Sequence, residues 1–362
     1  MVSTQSDDDD DDDDDVVVVV VVVTFAYSSS AMTFILFVCV MDVISMRCRR
    51  ETVMMCKRRR DVILITLRCV VSHALDLQNT QSIMSATTNK ALNILITGGA
   101  RGIGRGLFQN FLAKGHRVFI LDNNTEELEH VKSRADEWTS AQGSWHALQC
   151  DLSKREQIKD AVQTVKETFN GRLDVLINNA FPTTLQLAED RAMEGKDDDI
   201  EAEWDLKIAI GLTAPFILSR LCIPLLIEGS STSGSPGTII NMSSTRAYQA
   251  ESNHEAYSTA KAGILGLTQS MSISLGHRHK IRVNAIIPGW IHVENESKAA
   301  DEKRTAWEEG LSKDDQEWHP AGRVGQSEDI IRAAEYLIES GFVTGQEVVV
   351  DGGVGRKMVY PE

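Results

Sequence analysis

The sequence lacks an excess of positive charge. Its 362 residues include 37 Lys and Arg against 52 Asp and Glu, which gives a formal net charge of −15. Because phosphate binding by proteins needs clustered Lys and Arg, this balance argues against a broad nucleic-acid surface. The expected partner is therefore a small molecule or another protein, with no nucleic acid.

Cysteine is scarce outside the first part of the chain. Of the six cysteines, only Cys150 and Cys222 lie beyond residue 69. The cysteine positions fit neither zinc-ligand spacing nor a disulfide framework, so no metal site is predicted. Two isolated thiols suit a reducing compartment, and the cytoplasm is the expected location.

The first 83 residues lack the mixed composition of a packed domain. Nine consecutive Asp occupy residues 7–15 and eight consecutive Val occupy residues 16–23. A secretory signal fits poorly, because its first segment should be basic. Two interpretations stay open. Either the segment is an over-extended translation of repetitive DNA and the working protein starts at Met84, which is favoured, or the uncharged residues 16–41 anchor the chain in a membrane with the rest of the chain in the cytoplasm.

From residue 84 to 362, apolar runs alternate with helical stretches. This alternation predicts one doubly wound Rossmann-type α/β domain, with a seven-stranded, mainly parallel sheet and helices on both faces. The predicted strands are Asn93–Thr97, Arg117–Leu121, Ser144–Gln149, Val175–Asn178, Thr238–Asn241, Arg282–Ile287 and Glu347–Val350. The predicted helices include Lys154–Phe169, the region Glu203–Ile227, Tyr257–Leu275 and Glu328–Ile338. A surface loop is expected at 228–237, and a long segment at 292–319 is expected to cover the ligand crevice.

The stretch "NILITGGARGIGRG" runs from a strand into a glycine-rich turn and then a helix. Gly98, Gly102 and Gly104 permit a tight turn and a close approach of the backbone to a pyrophosphate at the helix N-terminus. Asp122, 18 residues after Gly104, ends the second strand. A carboxylate there accepts hydrogen bonds from ribose hydroxyls and repels a 2′-phosphate, which favours NAD, although Arg101 leaves NADP open.

The stretch "AYSTAKAGILGL" places Tyr257 and Lys261 on one face of a helix. With five Tyr in the chain, a Tyr-x-x-x-Lys pair arises by chance in roughly one sequence in five, so the pair alone decides nothing. A nearby ammonium would favour phenolate over phenol and bring the Tyr pKa towards a range useful for proton transfer.

Six motifs in order, "TGGARGIG", "CDLS", "VLINNA", "NMSS", "YSTAK" and "IRVNAIIPGWI", resemble the short-chain dehydrogenase/reductase family over residues 91–353. The resemblance implies an NAD(P)-dependent oxidoreductase that transfers a hydride between the cofactor and a secondary alcohol or ketone, with NAD preferred. It also implies a homodimer or homotetramer.

Carried over by motif, the resemblance implies roles for individual residues. Tyr257 is the general acid or base, Lys261 lowers its pKa and holds the nicotinamide ribose, and Ser244, rather than Ser243, binds the substrate oxygen. The implied cofactor contacts are Thr97, Gly98, Arg101, Gly102, Ile103, Gly104, Asp122, Asp151, Leu152, Asn179, Tyr257, Lys261, Pro288, Gly289 and Ile291.

Three positions depart from the family pattern. Gly211 stands where an Asn is usual, Phe181 replaces the Gly that follows "NNA", and Val293 replaces a Thr that often binds the carboxamide. These departures motivate an alternative hypothesis, a cofactor-binding protein with weak or no turnover. The residues expected near the substrate mouth are Phe181, Arg246, Tyr248, His254 and Trp290, and Trp307 and Trp318 are expected to pack a lid onto the body.

Overall fold

Short strands form a single sheet in a computed structural model, which describes residues 91–141, 143–182, 193 and 199–358. The inner strands are almost fully buried, whereas the two edge strands are partly exposed. The strands are β1 Asn93–Thr97, β2 Arg117–Asp122, β3 Ser144–Gln149, β4 Val175–Asn178, β5 Thr238–Met242, β6 Arg282–Pro288 and β7 Glu347–Val350. The sequence predictions for residues 1–83, the membrane anchor included, lie outside the described residues.

The strand order is β3-β2-β1-β4-β5-β6-β7, and all six pairings are parallel. The chain therefore winds outwards in one direction from β1 to β3 and in the other direction from β4 to β7. In such sheets the ligand crevice opens where the order reverses, at the carboxyl ends of the two central strands. Here those strands are β1 and β4.

Helices cover both faces of the sheet and enclose two large apolar clusters. One cluster lies between one face of the sheet and the helices at 102–113, 125–138 and 327–339. The other lies between the opposite face and the helices at 155–168 and 214–233. The α-helices are α1 Gly102–Ala113, α2 Thr125–Trp138, α3 Arg155–Thr168, α4 Asp199–Ile208, α5 Ala214–Ser233, α6 Glu255–His279, α7 Lys298–Lys303, α8 Lys313–Glu317 and α9 Ser327–Glu339. A π-helical turn, Ala209–Thr213, joins α4 to α5.

The predicted fold class is confirmed, and every predicted strand is present to within one residue at its end. The prediction of a surface loop at 228–237 is wrong for its first half, because α5 continues to Ser233. The hydroxyls of Ser230, Ser231 and Thr232 donate to carbonyls four residues earlier, at 2.9, 3.0 and 2.9 Å. These side-chain bonds let polar residues continue the helix until Gly234 ends it with a φ of +76°.

Residues 200–233 form the one helical stretch in the described part of the chain that is long and apolar enough to cross a membrane. Half of its most apolar window is buried in the protein, and Leu218, Cys222 and Leu226 belong to the core cluster beneath α3 and α5. Its apolar character is therefore accounted for in large part by packing against the sheet.

The segment 292–319, expected to be a long covering loop, contains α7 and α8. It remains a connection between β6 and α9, as predicted, but short capped helices give it local order. Ser312 and Asp315 form a reciprocal capping box at the start of α8. Trp307 donates from its indole to the His292 carbonyl at 3.2 Å, which links the middle of the segment to its own first residue.

The close contact between α5 and the residues just before β4 gives a test of how this helix packs on the sheet. A Cβ at Gly229 would lie 1.9 Å from the Leu173 carbonyl oxygen, so Gly229→Ala should lower the free energy of unfolding by about 1–3 kcal/mol through overpacking. The matched control is Gly266→Ala in α6, where nothing lies within 4 Å and Ala should stabilise by roughly 0.5–1 kcal/mol. Urea unfolding of both variants measures the difference. Equal effects at the two positions would contradict the packing described here.

Candidate active site

The carboxyl ends of β1 and β4 are joined by a set of hydrogen bonds. The backbone N–H groups of Asn179 and Ala180 donate to the Thr97 hydroxyl at 2.9 and 3.0 Å. In return, the Asn179 side-chain amide donates to the carbonyls of Thr97 and Gly98 at 3.0 and 3.2 Å. We call this set the Thr97–Asn179 clasp. It fixes both edges of the crevice, so two predicted cofactor residues lie together at the switch point.

The glycine-rich turn leaves the clasp and enters α1. Gly98 has a φ of +65° and Gly102 a φ of +57°, a region that favours glycine. A Cβ at Gly104 would lie 1.9 Å from the Gly98 carbonyl oxygen, so the turn can fold back on the helix only with glycine there. The first turn of α1 holds no acidic residue, and its positive dipole end faces this turn. Arg101 and Ile103 flank the same turn, the arginine exposed.

Asp122 lies at the end of β2, beside this turn. One carboxylate oxygen accepts from the Ala100 N–H and the other from the Asn124 N–H, both at 3.0 Å. Asp122 as a whole is buried, with 8% of its surface exposed. A carboxylate has about four acceptor sites, so two backbone bonds leave room for further donors.

The other predicted cofactor contacts lie at the carboxyl ends of outer strands. Asp151 and Leu152 follow β3, where the Asp151 carboxylate accepts from the Ser153 N–H at 2.9 Å and Leu152 is buried in the core. Pro288 ends β6, and Gly289 donates to the Val350 carbonyl at 2.9 Å. Ile291 pairs with Gly325 in an isolated bridge that leads into the segment 292–319.

Ser244, Tyr257 and Lys261 converge beside these strand ends. Ser244 follows β5, and its side chain hydrogen-bonds with the Tyr257 phenol. The Lys261 amine donates to the Met242 carbonyl at 2.9 Å. The neighbouring Ser243 donates its hydroxyl to the Lys261 carbonyl at 2.7 Å, away from the phenol. The geometry therefore brings together the three residues that the motifs singled out, with Ser244 as the serine in contact.

The expected effect of Lys261 on Tyr257 does not appear in this structure. Burial raises the pKa of the Tyr257 phenol, while the hydrogen bond with Ser244 and the charge of Arg246 lower it less strongly. Burial also lowers the pKa of Lys261 to about 7, so the amine is only partly charged at neutral pH. The prediction considered the spacing of the pair, whereas the pKa values depend on what covers it.

A cavity of about 400 Å³ opens above Ser244 and Tyr257. Four of the five residues predicted near the mouth line it, and they are Phe181, Arg246, His254 and Trp290. Tyr248 does not, because its hydroxyl bonds to Glu347 on β7. Arg246 forms an ion pair with Glu251 and lines the cavity.

Lys207 also lines the cavity, and the sequence analysis missed it. It is 7% exposed and pairs with Glu203, which is 3% exposed, one turn earlier in α4. The signal available in the sequence was a Glu-x-x-x-Lys pair inside a helix that is otherwise apolar towards the core. Such pairs are common on solvated faces, which is why spacing alone gave no reason to select this one.

The segment after β6 is tied to the nucleotide side of the crevice. The Glu296 carbonyl accepts from the Gly102 N–H at 2.8 Å. Arg105, 2% exposed in α1, donates to Asp301 of α7 at 2.6 Å and lies 3.6 Å from Glu296. His130 and Arg134 of α2 approach the same Asp301 oxygen at 2.7 and 2.9 Å. We call this group of charges the Asp301 cluster.

In the part of the chain that the structure describes, no group of three His, Cys, Asp or Glu side chains is arranged to hold a metal ion. The reactive groups at the cavity are the Ser244 hydroxyl and the Tyr257 phenol, with the Lys261 amine beside them. With a glycine-rich turn on the adjacent edge, the arrangement can bind a dinucleotide and exchange one proton with a group held against Ser244 and Tyr257.

Known proteins are similar to this chain over the same region. A family model described as enoyl-(acyl carrier protein) reductase matches residues 98–355. An uncharacterized oxidoreductase of Thermotoga maritima is 34% identical over 74% of this chain and 97% of its own length. A 3-oxoacyl-(acyl-carrier-protein) reductase of the same organism is 31% identical over 72% of this chain and 96% of its own length. The structure of 3-ketoacyl-(acyl-carrier-protein) reductase from Brucella melitensis complexed with NADH is 26% identical, covers 73% of this chain and 98% of its own, and has a TM-score of 0.57.

The Asp301 cluster predicts a stability difference. Asp301→Asn leaves the buried Arg105 without its closest charged partner and should lower the free energy of unfolding by about 3 kcal/mol at neutral pH. Glu317→Gln, which breaks the exposed Lys313–Glu317 pair, is the control and should cost less than about 0.5 kcal/mol. Urea unfolding measures both.

The pH dependence of that difference follows from the same contacts. Burial opposes ionisation of Asp301, but hydrogen bonds from His130 and Arg105 outweigh it, and its pKa lies below the usual value. The stabilisation is therefore present above about pH 4, the unfolded-state pKa, and is lost as pH falls through the lower folded-state pKa. Wild type and Asp301→Asn should converge in stability at the acid end, and a gap independent of pH would contradict the assignment.

Proposed function

Because the chain belongs to the short-chain dehydrogenase/reductase family of Rossmann-type oxidoreductases, we propose that it transfers a hydride between a nicotinamide cofactor and a secondary alcohol or ketone. The observation that carries this proposal is the convergence of Ser244, Tyr257 and Lys261 beside the cavity. The residues that form the glycine-rich turn lie on the adjacent edge of the same crevice.

Each of the three side chains has a role that follows from its chemistry. Tyr257 gives a proton to the carbonyl oxygen during reduction and takes it back during oxidation. Ser244 donates a hydrogen bond to the same oxygen, which stabilises the negative charge that develops there as the hydride moves. Lys261, when charged, favours the phenolate and has donors for the nicotinamide ribose. The hydride itself belongs to the cofactor, and this chain aligns the reacting groups.

We infer that the cofactor is bound along the crevice from β2 to β6 and that NAD is preferred to NADP. Asp122 supports this preference, since its carboxylate keeps acceptor sites for ribose hydroxyls and its charge opposes a 2′-phosphate. The relative from Brucella melitensis is described as a complex with NADH. The adenine would contact Asp151 and Leu152, and Asn179 would lie below the cofactor. The nicotinamide carboxamide would be flanked by Pro288, Gly289 and Ile291.

A second candidate function is a cofactor-binding protein with weak turnover. The observation that favours it is the position of Phe181, whose ring lines the cavity and contacts both the Tyr257 ring and the Lys261 amine. The raised pKa of Tyr257 also disfavours the phenolate that alcohol oxidation needs. The two candidates differ in turnover and agree in cofactor binding, so measurements of both separate them.

We propose a cytoplasmic homodimer or homotetramer whose working part is residues 84–362. Exposed Trp204, Phe216 and Ile273 on α4, α5 and α6 give these helices an apolar outer face that a second copy would cover. Cys150 and Cys222 are free and buried, and burial raises the pKa of each thiol, to about 11 and about 12. Unreactive, unpaired thiols suit a reducing compartment.

Removal of one hydroxyl tests the mechanism. Tyr257→Phe should lower turnover on any substrate found by roughly 100- to 10,000-fold, because the proton donor is lost while the ring and its packing remain. The Kd for NADH, measured by fluorescence titration, should stay within about twofold. Tyr248→Phe is the matched control, since that hydroxyl bonds to Glu347 outside the cavity, and it should leave turnover intact. Undiminished turnover in Tyr257→Phe would defeat the mechanism.

Cofactor choice is tested by titrating the full chain with NADH and, separately, with NADPH. We expect NADH to bind at least about tenfold more tightly, because Asp122 would lie next to the 2′-phosphate of NADPH. Asp122→Asn should narrow the gap, whereas Asp160→Asn, an exposed carboxylate on α3, should not change it. Tighter binding of NADPH by the wild type would overturn the Asp122 argument. Binding of neither cofactor to a folded sample would overturn both candidate functions.

A further inference from the structure

The Phe181 ring fills a space beside Gly211 that a side chain at position 211 would block. Phe181 follows directly from the Thr97–Asn179 clasp, and its ring packs against the π-helical turn that contains Gly211. A Cβ at Gly211 would lie 2.5 Å from one ring carbon of Phe181 and 3.1 Å from the Ala260 Cβ. Any larger residue at 211 would therefore displace the ring, so Phe181 and Gly211 form one steric unit.

The other sides of the Phe181 ring contact two of the three residues that carry the proposed chemistry. The ring meets the Tyr257 ring edge to face, with centroids 4.7 Å apart and an interplanar angle of 70°. The Lys261 amine lies 4.6 Å from the Phe181 centroid and 5.6 Å from the Tyr257 centroid. Phe181 thus lines the cavity and contacts the Lys261 amine, whereas Lys261 itself is not among the residues that line the cavity.

We propose that Phe181 is a positioning residue that covers the Lys261 amine and thereby sets how much of its positive charge Tyr257 experiences. Gly211 provides the space that the ring requires. This inference rests on the proposed function only for its consequence in catalysis. The effect on Lys261 itself is a property of the protein without cofactor or substrate.

Two opposing effects act on the covered amine. An aromatic face attracts an ammonium, whereas exclusion of water disfavours the charged form and lowers the pKa of a fully buried lysine by up to several units. Lys261 is 5% exposed, and among the described residues its amine donates one hydrogen bond, to the Met242 carbonyl. Burial therefore lowers the pKa of Lys261, to about 7.

Other ionisable groups around the cavity are held by partners of their own. Those nearest to Tyr257 and Lys261 across the elements packed there are Arg246 with Glu251 after β5, His254 at the start of α6, and Lys207 with Glu203 on α4. Of these groups, Arg246 acts on Tyr257 through its charge. Phe181 differs from all of them because it changes the access of water and carries no charge.

The direct test is the pKa of Lys261 in the full-length, cofactor-free protein. Lysine labelled with ¹³C at Cε is titrated by NMR, and the Lys261 signal is assigned by its absence in Lys261→Met. Phe181→Ala should raise the Lys261 pKa from about 7 by roughly one unit or more, because water reaches the amine. An unchanged or lower pKa in a folded Phe181→Ala protein would overturn the proposal.

Gly211→Ala gives a second, independent variant. It leaves Phe181 in the sequence but pushes its ring aside, so it should raise the Lys261 pKa as Phe181→Ala does. The double variant should show no further rise, since both changes act through the same ring. Gly266→Ala on the same helix as Lys261, with nothing within 4 Å of the added methyl, is the control and should leave the pKa at the wild-type value. Additive shifts in the double variant would contradict a single steric unit.

The catalytic consequence is measured separately. If Lys261 keeps its charge to higher pH in Phe181→Ala, the phenolate of Tyr257 is favoured, and the rising limb of alcohol oxidation against pH should move to lower pH. An NMR shift without turnover on any substrate would support the role of Phe181 and count against the proposed oxidoreductase. Turnover whose pH profile and Lys261 pKa are both unaffected by Phe181→Ala would keep the oxidoreductase and overturn the role of Phe181.

Discussion

The clasp between Thr97 and Asn179 is the constraint on which the site depends. Four hydrogen bonds of 2.9 to 3.2 Å join the residues at the carboxyl ends of β1 and β4, just beyond the last pair of their ladder. On one side, the clasp holds the Gly98 carbonyl against α1, so close that Gly104 cannot carry a side chain. On the other side, it ends at Ala180, one residue before Phe181. The glycine-rich turn and Phe181 are therefore positioned by one set of backbone and amide contacts.

The sheet could be predicted from the sequence because its central strands are buried on both faces and appear as continuous apolar runs. The strands β1 and β4 are buried at every position. The helix α5 could not be predicted to its end, since "EGSSTS" has the composition of a loop. Its hydroxyls bond to carbonyls one turn earlier, and Gly229 meets the Leu173 carbonyl across a gap that no side chain fits. Local composition does not contain either contact.

In the candidate site, spacing along the chain predicted which residues meet, but not their electrostatics. Ser244, Tyr257 and Lys261 were predicted from motif order, and the structure brings them together. The Asp301 cluster was not foreseen, because Arg105 and Asp301 are 196 residues apart in the chain and no periodicity connects them. The direction of the Tyr257 pKa also differs from the expectation. Burial of the phenol raises it, and the spacing of the Tyr-x-x-x-Lys pair does not show that burial.

The departures from the family pattern are not independent of each other. Phe181 and Gly211 fill a single volume, so a large ring at one position and a missing side chain at the other describe one change in packing. Counted separately, they suggest two defects in the site: a missing side chain at Gly211 and an obstructing ring at Phe181. Considered together, they keep the space beside Lys261 filled and alter its access to water. Val293 similarly packs over Gly102, 3.5 Å from where a Cβ would lie, in the segment whose Glu296 carbonyl binds the Gly102 N–H. The substitutions thus follow the packing of the crevice, and their cost to function depends on whether Phe181 still lets Lys261 carry charge when Tyr257 must give or take its proton.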